Sequence, residues 1–150
     1  MLLLPRRCVL AMAAVIDIAV NARPRPVAAK ALAARHHLPP RHLETLLQSL
    51  VHAQILRGVR GPHGGYELAR DRRKISAGDI VRAALAAEGG QEEGGEARSP
   101  LIDDVVTPLM VDAGKSFLSR LDTISVEELS QGGGTKSDVV QLERAEAFNI

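Results

Sequence analysis

The segment 57–68, with the sequence RGVRGPHGGYEL, concentrates glycine and positive charge. Pro62 stiffens this segment, and Arg60 carries a permanent positive charge. Three glycines permit positive φ angles and a close approach of the backbone to a partner: Gly61, Gly64 and Gly65. We expect strands near 55–60 and 66–69 to form a β-hairpin around this loop. Such a basic hairpin suits a wing that lies along a nucleic-acid backbone.

A helix is predicted directly before the hairpin, beginning at Pro40, where a missing N–H group costs nothing. One stripe of this helix is apolar at intervals of three and four residues: Leu43, Leu46, Leu47 and Leu50. The opposite face is rich in groups that hydrogen-bond base edges or phosphates, with Glu44 as the acidic exception: Arg41, His42, Thr45, Gln48, Ser49 and His52. With a helix expected at 28–36 and a turn at 37–39, the pattern predicts a helix-turn-helix.

Charge is divided unevenly along the chain. Residues 1–82 contain 14 Lys and Arg residues against 5 Asp and Glu residues, a net charge of +9. Residues 83–150 contain 5 against 13, a net charge of −8. The basic part suits a polyanionic partner, although an unevenly charged surface without that role is the plain alternative. We predict phosphate contacts for four cations: Arg23, Arg25, Lys30 and Arg57.

The N-terminal segment places Arg6 and Arg7 before the apolar run 8–16, as a signal peptide does. Asp17 interrupts that run, and the apolar spacing favours a helix with one buried stripe instead: Val9, Met12, Ala13, Ile16, Ala19 and Val20. We therefore expect the first helix of a soluble, cytoplasmic protein without a membrane span. The single cysteine excludes an internal disulfide and fits a reducing compartment.

The second half of the chain is expected to contain one long helix. Ser76 and Asp79 have the spacing of a capping box, and the helix that they begin should end before an acidic, glycine-rich mobile loop at 88–98. A new helix is predicted from residue 99, and Pro108 within it predicts a kink or a restart capped by Thr107.

An apolar stripe follows this long helix over about five turns, with Val105 or Val106 at its second position. A small domain cannot bury such a stripe alone, so we predict that it forms the seam of a homodimer: Ile102, Val106, Leu109, Ala113, Phe117 and Leu121. The alternative is that the helix folds back on its own domain as core. A capping box at Ser125 predicts a short final helix, followed by a flexible tail at 131–150.

Together, the segments 27–50, 59–68, 75–81 and 101–129 resemble the Rrf2 family of bacterial transcriptional regulators. The most specific matches are short motifs: Leu43-Glu44 with Leu46-Leu47, the hairpin 59–66 with Leu68, Ile75-Ser76 with Asp79-Ile80, and Ile124-Ser125-Val126 with Leu129. The resemblance implies a homodimeric winged helix in which a long helix of each subunit crosses the other and each recognition helix enters a major groove of a palindromic site. It also implies positions of DNA contact: bases for Pro40, Arg41, His42 and Glu44, and the minor groove for Arg60.

The chain departs from this family at the residues that hold iron. Cluster-binding members have three cysteines in the loop after the fourth helix, where this chain has 88–98 and no cysteine. Because thiolates are the ligands of an iron–sulfur centre, we expect no cluster of that type, while an unusual site of carboxylates and histidines stays open. Cys8 is the only candidate for a direct redox sensor, and its alternative role is that of a small buried apolar residue.

Other chemistry has little support in the sequence. The five histidines do not form a convincing metal set, so we expect no metal. His63 stands where the family has glycine, and it either donates to a phosphate or has no role. No nucleophile, base and orienting group recur at catalytic spacings, so we do not expect an enzyme.

The sequence thus predicts a mainly α fold with a small β-hairpin wing. We expect a winged helix-turn-helix domain at 1–87, the acidic loop at 88–98, the dimerisation helix and short C-terminal helix at 99–130, and the flexible tail at 131–150.

The predicted function is that of a homodimeric repressor that binds double-stranded DNA without a cofactor, and a small-molecule or protein co-regulator is left open. The alternatives are a winged-helix adaptor that docks an enzyme and a redox-responsive regulator based on Cys8. The predicted DNA-binding residues lie on the recognition helix and the wing: Pro40, Arg41, His42, Glu44, Thr45, Gln48, Arg57, Arg60, Gly61, Pro62, His63 and Gly64.

Overall fold

The computed structural model describes residues 4–87 and 99–132. Within these ranges the elements follow in this order: α1 (Arg6–Asn21), α2 (Ala29–His36), α3 (Pro40–His52), β1 (Leu56–Val59), β2 (Gly65–Leu68), α4 (Ala77–Ala86), α5 (Thr107–Asp122) and α6 (Val126–Gly132). A 3-10 turn at Arg72–Lys74 precedes α4, and a π-helical turn at Ile102–Val106 precedes α5. The predicted fold class, mainly α with a small hairpin, is confirmed.

The buried face of α1 differs from the predicted stripe. Cys8, Ala11, Val15 and Ile18 are at most 1% exposed, whereas Val9 and Val20 of the predicted stripe are 41% and 55% exposed. Ala19 of the predicted stripe is buried, at 6% exposed. The prediction was wrong for Val9 and Val20 because every residue from 8 to 20 except Asp17 is apolar, so spacing alone does not select a face. Packing against α4, α6 and β2 selects it instead.

The one polar residue of this run, Asp17, fastens α2 to α1. Its carboxylate accepts hydrogen bonds from Arg35 at 2.6 and 2.9 Å and from Asn21 at 3.1 Å, and it lies 2.8 Å from His36 Nε2. Burial raises the pKa of Asp17, but the hydrogen bonds outweigh burial and hold that pKa below its usual value. Asp17 therefore stays ionised and positions the first helix of the helix-turn-helix.

The predicted leucine stripe of α3 is confirmed. Its four residues face the core and are at most 6% exposed: Leu43, Leu46, Leu47 and Leu50. The turn before α3 begins at His37, which adopts a left-handed conformation with φ of 52° and ends α2. Pro40 occupies the start of α3, as expected from its missing N–H group.

The hairpin is joined to the segment that precedes α2. Strand β1 pairs antiparallel with β2, from Leu56 opposite Leu68 to Val59 opposite Gly65. Val27 adds a bridge outside the strands, because its N–H donates to Tyr66 O at 2.9 Å and its O accepts from Tyr66 N–H at 2.8 Å. A Cβ at Gly65 would overlap the backbone of Val27, so this junction requires glycine.

The helices of the second half begin with the predicted caps. Ser76 and Asp79 form the capping box of α4, with both hydrogen bonds at 3.0 Å. Ser125 and Glu128 form the corresponding box at α6, at 2.8 and 3.2 Å. The two helix starts are also paired through their backbones, since Ala77 N–H donates to Ile124 O and Val126 N–H donates to Ile75 O, each at 2.8 Å.

The predicted restart capped by Thr107 is wrong. No side chain caps the start of α5, and the helix instead passes through the π-helical turn, where Thr107 N–H donates to Ile102 O. Pro108 lacks a donor and its ring crowds the carbonyl four residues earlier, and the wider turn directly before it accommodates both constraints.

Two predicted segments lie wholly or partly outside the described residues. The acidic loop 88–98 belongs to neither described range, and neither do residues 133–150 of the predicted tail. Helix α6 extends to Gly132, two residues past its predicted end at 130, so it includes the first two residues of the predicted tail. In the described part of the chain, no helix is both long and apolar enough to span a membrane.

Candidate nucleic-acid interface

Helix α3 presents a polar face opposite its leucine stripe. Five predicted contact residues lie on it and are exposed: Arg41, His42, Glu44, Thr45 and Gln48. Pro40 is also exposed at the first turn. Ser49, which the sequence placed on the same face, is half-buried, and its hydroxyl donates to Leu46 O at 2.8 Å. Apart from Ser49, the predicted polar face is thus accessible along α3, including His52 in the last turn.

The tip of the hairpin has the predicted glycine-dependent turn. Gly61 has a φ of 121°, which side chains rarely adopt, and Gly64 N–H donates to Gly61 O at 2.9 Å. A Cβ at Gly64 would overlap Val59 O. Pro62 and His63 are exposed at the tip. The wing therefore brings bare backbone to its outer end, where a phosphate backbone can approach closely.

Arg60 and Arg57 differ in their surroundings. Arg60 is exposed, and no acidic partner lies within salt-bridge distance of it in the described ranges. Arg57 donates from Nε to Glu67 Oε1 at 2.6 Å, directly across the hairpin. The Arg57 side chain is nevertheless 64% exposed. Sequence reasoning missed this pair because it requires the register of the strands.

A cleft of about 560 Å³ beside the hairpin contains further arginines that the sequence did not single out. Arg73 pairs with Asp71 at 2.9 Å, and Arg72 lies 3.4 Å from Glu127. The side-chain hydrogen bond from Arg73 lowers the pKa of Asp71 to about 2, and the backbone N–H of Arg73 adds to the effect. Arg72 thus joins the 3-10 turn to α6, whereas the pair of Arg73 with Asp71 is local, and acidic partners compensate the charge of both arginines.

Other cations of the basic half lack such compensation. Within residues 4–87 and 99–132, five of the predicted contact cations have no salt-bridge partner: Arg23, Arg25, Lys30, Arg41 and Arg60. Arg23 and Arg25 precede Val27, whose bridge to Tyr66 ties their loop to the wing. The uncompensated charge is thus carried by the wing, by the loop joined to it, and by the two helices of the helix-turn-helix.

Helix α5 exposes most of its apolar residues. Of the predicted seam, Leu109 is 65%, Val106 43% and Phe117 38% exposed, and Ala113 is exposed as well. Ile102 and Leu121 are half-buried, and Leu121 packs against the core of its own chain. Val105, which the sequence offered beside Val106 in the stripe, is 57% exposed. The exposed apolar surface also includes three residues that the prediction omitted: Leu101, Met110 and Val111.

The donor set does not fit a cysteine-ligated iron–sulfur cluster. The chain has one cysteine, Cys8, which is 1% exposed within the core, whereas such clusters take several thiolates. In the described portion of the molecule, no three His, Cys, Asp or Glu side chains are grouped as metal ligands would be. Cys8 therefore contributes packing at this position.

Comparison with known proteins identifies the family of this chain. The chain matches the Rrf2 family, described as iron-dependent transcriptional regulators, over residues 4–132. It is 31% identical over 116 residues to the HTH-type transcriptional regulator slr0846 of Synechocystis, covering 77% of this chain and 79% of that one. An HTH-type regulator of Haemophilus influenzae is 40% identical over 73 residues, and the match spans about half (49%) of each chain. The Vibrio campbellii regulator IscR is 33% identical over 73 residues, which span 49% of this chain and 44% of that relative.

Solved structures of related proteins superpose on most of this chain. T. potens IscR superposes with a TM-score of 0.66 at 28% identity and covers 88% of both chains. CymR, the global cysteine regulator of B. subtilis, superposes with a TM-score of 0.63 at 27% identity, covering 87% of this chain and 98% of that one. The buried leucine stripe and exposed polar face of α3, the wing, and these matches lead to one conclusion: the chain belongs to the Rrf2 family and is a DNA-binding transcriptional regulator with a winged helix-turn-helix.

Proposed function

We propose that this regulator is a homodimeric, cytoplasmic repressor that binds a palindromic operator. The observation that carries the proposal is the apolar face of α5, where Leu109 and Met110 are 65% and 64% exposed in a single chain. A second copy of the same helix would cover this face through a two-fold interface. A two-fold dimer places two recognition helices in successive major grooves of a palindromic site.

Helix α3 would supply the base contacts. Arg41 and Gln48 present donors to base edges, and Glu44 can accept from the amino group of cytosine. Pro40, His42 and Thr45 lie on the same exposed face and complete the contact. These side chains fit the major groove because the leucine stripe holds the opposite side of the helix against the core.

The wing would bind beside the recognition helix. We assign Arg60 to the minor groove and the backbone of Gly61 and Gly64 to close contact with phosphate, with Pro62 fixing the loop and His63 as a donor. Phosphate contacts come from Arg23, Arg25 and Lys30. Arg57 joins them through its Nη groups while Nε stays on Glu67, since a guanidinium has five N–H donors.

The proposed repression follows from the dimer's occupancy of its operator. A dimer that covers a promoter excludes the polymerase, so we assign repression. We assign no iron–sulfur cluster, no other metal and no catalytic activity to the chain. The input signal then comes from a small molecule or a partner protein, because a thiol that is 1% exposed is a poor direct sensor.

Fluorescence anisotropy with duplex fragments from around the coding region tests the proposal. We expect specific binding whose affinity falls steeply with salt, because several uncompensated cations displace counterions from DNA. Footprinting of the bound fragment should show a protected palindrome, and transcription from it in vitro should decrease. The rival adaptor function predicts no such salt dependence, and absence of DNA binding at low salt would contradict the proposal.

A further inference from the structure

A groove of about 570 Å³ lies beside the recognition helix, and most of the residues that line it have no part in the DNA contacts proposed above. It is lined by the first turns of α1, the turn between α2 and α3, and one side of α3. Leu10, Leu38 and Leu46 give it an apolar wall. Its volume lies within the range of about 300–1,000 Å³ that is usual for sites of small molecules.

Positively charged side chains lie next to this apolar wall. Arg6 and Arg7 both line the groove, and none of the described residues that line it is acidic. Arg7 is held in place because its Nε donates to Ala84 O at 3.0 Å. Arg6 is exposed and has no carboxylate partner in the described ranges. An apolar wall next to the exposed Arg6 guanidinium complements a molecule with an apolar body and one anionic group.

The groove shares residues with the DNA-binding face. His42 and Thr45 line it, and both are exposed on the face of α3 that we assign to DNA contact. An occupant would cover these two side chains or shift the first turns of α3. Occupancy of the groove and docking of α3 in a major groove therefore compete for the same atoms.

We propose that this groove binds a small amphiphilic carboxylate, and that this binding and DNA binding exclude each other. The carboxylate lies at Arg6, and the apolar body lies against Leu10, Leu38 and Leu46. The effect on DNA rests on the proposed function, whereas the binding of the carboxylate does not. By linkage, an anion that weakens DNA binding must itself bind more weakly to the DNA complex.

Isothermal titration of the full-length protein with decanoate, and with decanol as the neutral probe of equal chain length, tests the site. We expect decanoate to bind and decanol to bind more weakly. Arg6→Glu should weaken decanoate binding by about twofold to fivefold, the range of an exposed ion pair, and should fold because an acidic residue suits a helix N-terminus. Lys74→Glu makes the same change in charge outside the groove and should leave decanoate binding unchanged.

Two further measurements locate the site and its effect. Amide NMR shifts on adding decanoate should be largest near Leu10, Thr45 and Leu46, and Ala87→Trp, at an exposed lining residue, should block the groove without a change in charge. Decanoate should raise the apparent Kd for operator DNA, and decanol should not.

The site, the mutual exclusion and the proposed function are each contradicted by a different result. Shifts confined to 107–122, or decanoate binding that is indifferent to Arg6→Glu, would overturn the site. Binding in the groove with unchanged DNA affinity would overturn mutual exclusion. If the protein binds decanoate in the groove but binds no DNA under any condition, the proposed function fails and the site stands.

Discussion

Arg82 on α4 and Asp122 at the end of α5 form a bidentate ion pair, with Nη1 to Oδ1 at 2.6 Å and Nη2 to Oδ2 at 2.8 Å. The hydrogen bond from Arg82 lowers the pKa of Asp122. Gly78 lies against the same carboxylate, and a Cβ there would overlap it. The pair fastens the long helix to the winged-helix domain, and Gly78 leaves the room that it needs.

Gly78→Ala is therefore expected to displace the Asp122 carboxylate and break its pair with Arg82. Urea unfolding of a double-mutant cycle checks this: Asp122→Asn should lower the unfolding midpoint in the wild type but change it much less in the Gly78→Ala background. Gly58→Ala is the matched control, because an added Cβ at Gly58 meets no atom within 4 Å. Additive effects of the two substitutions would show that Gly78 does not support the pair.

Asp17→Asn is expected to lower the free energy of unfolding at pH 7 by about 1–3 kcal/mol, since a charged hydrogen-bond acceptor is lost from a buried position. The folded-state pKa of Asp17 lies below its unfolded value, so its contribution is complete above about pH 4 and is lost as the pH falls through the folded pKa. The difference between wild type and variant should shrink over that acidic interval. Urea midpoints at pH 7 and below pH 4 measure it, and Asp112→Asn, at an exposed position, serves as control.

Arg60→Ala is expected to weaken binding to a specific operator by about 1–3 kcal/mol, because the uncompensated guanidinium leaves the minor groove. Arg73→Ala removes the same charge from a residue paired with Asp71 and should have a smaller effect. Anisotropy titrations of both variants at one salt concentration provide the comparison. Equal losses would mean that Arg60 contributes only through general charge.

Leu109→Glu or Phe117→Glu is expected to convert the dimer into monomers, because a charge would be buried at the proposed seam. Operator affinity should fall with it, since each monomer holds one recognition helix. Sedimentation velocity at micromolar concentration gives the assembly state. Ser119→Glu, at an exposed polar position of the same helix, should remain dimeric. A wild-type protein that sediments as a monomer would contradict the seam.

Protein purified without oxygen is expected to be colourless and to contain no stoichiometric iron or sulfide, because Cys8 is the sole thiol and is 1% exposed. Visible spectra with iron and sulfide assays test this, and charge-transfer bands would overturn it. The same preparation tests Cys8 as a sensor. Treatment with an oxidant should leave operator affinity equal in wild type and Cys8→Ser, and a loss confined to the wild type would restore the redox alternative.

The sequence was most informative where polar and apolar residues alternate clearly. In α3 the four leucines stand among polar residues, so only one face can be buried, and the exposed face follows from it. The capping boxes at Ser76 and Ser125 were also found, because each depends on two residues at a fixed local spacing. In α1 the same reasoning chose the wrong face, because an almost wholly apolar run has no preferred side.

Contacts between distant segments were not accessible to sequence reasoning. The Val27–Tyr66 bridge and the pairing of the α4 and α6 starts use backbone atoms, which leave no mark on side-chain pattern. The Arg57–Glu67 pair depends on hairpin register, and the groove at Arg6 depends on the packing of three elements. These features depend on the tertiary arrangement, which the local pattern of residues does not specify.

The bridge between Val27 and Tyr66 has a consequence for the choice of operator. Its two hydrogen bonds join the hairpin to the segment just before α2, so we expect the separation between wing and helix-turn-helix to be set before DNA binds. The duplex must then adapt to the protein, and sequences differ in how easily they deform. A site whose minor groove is already narrow opposite the wing would be favoured, even at base pairs that no side chain contacts.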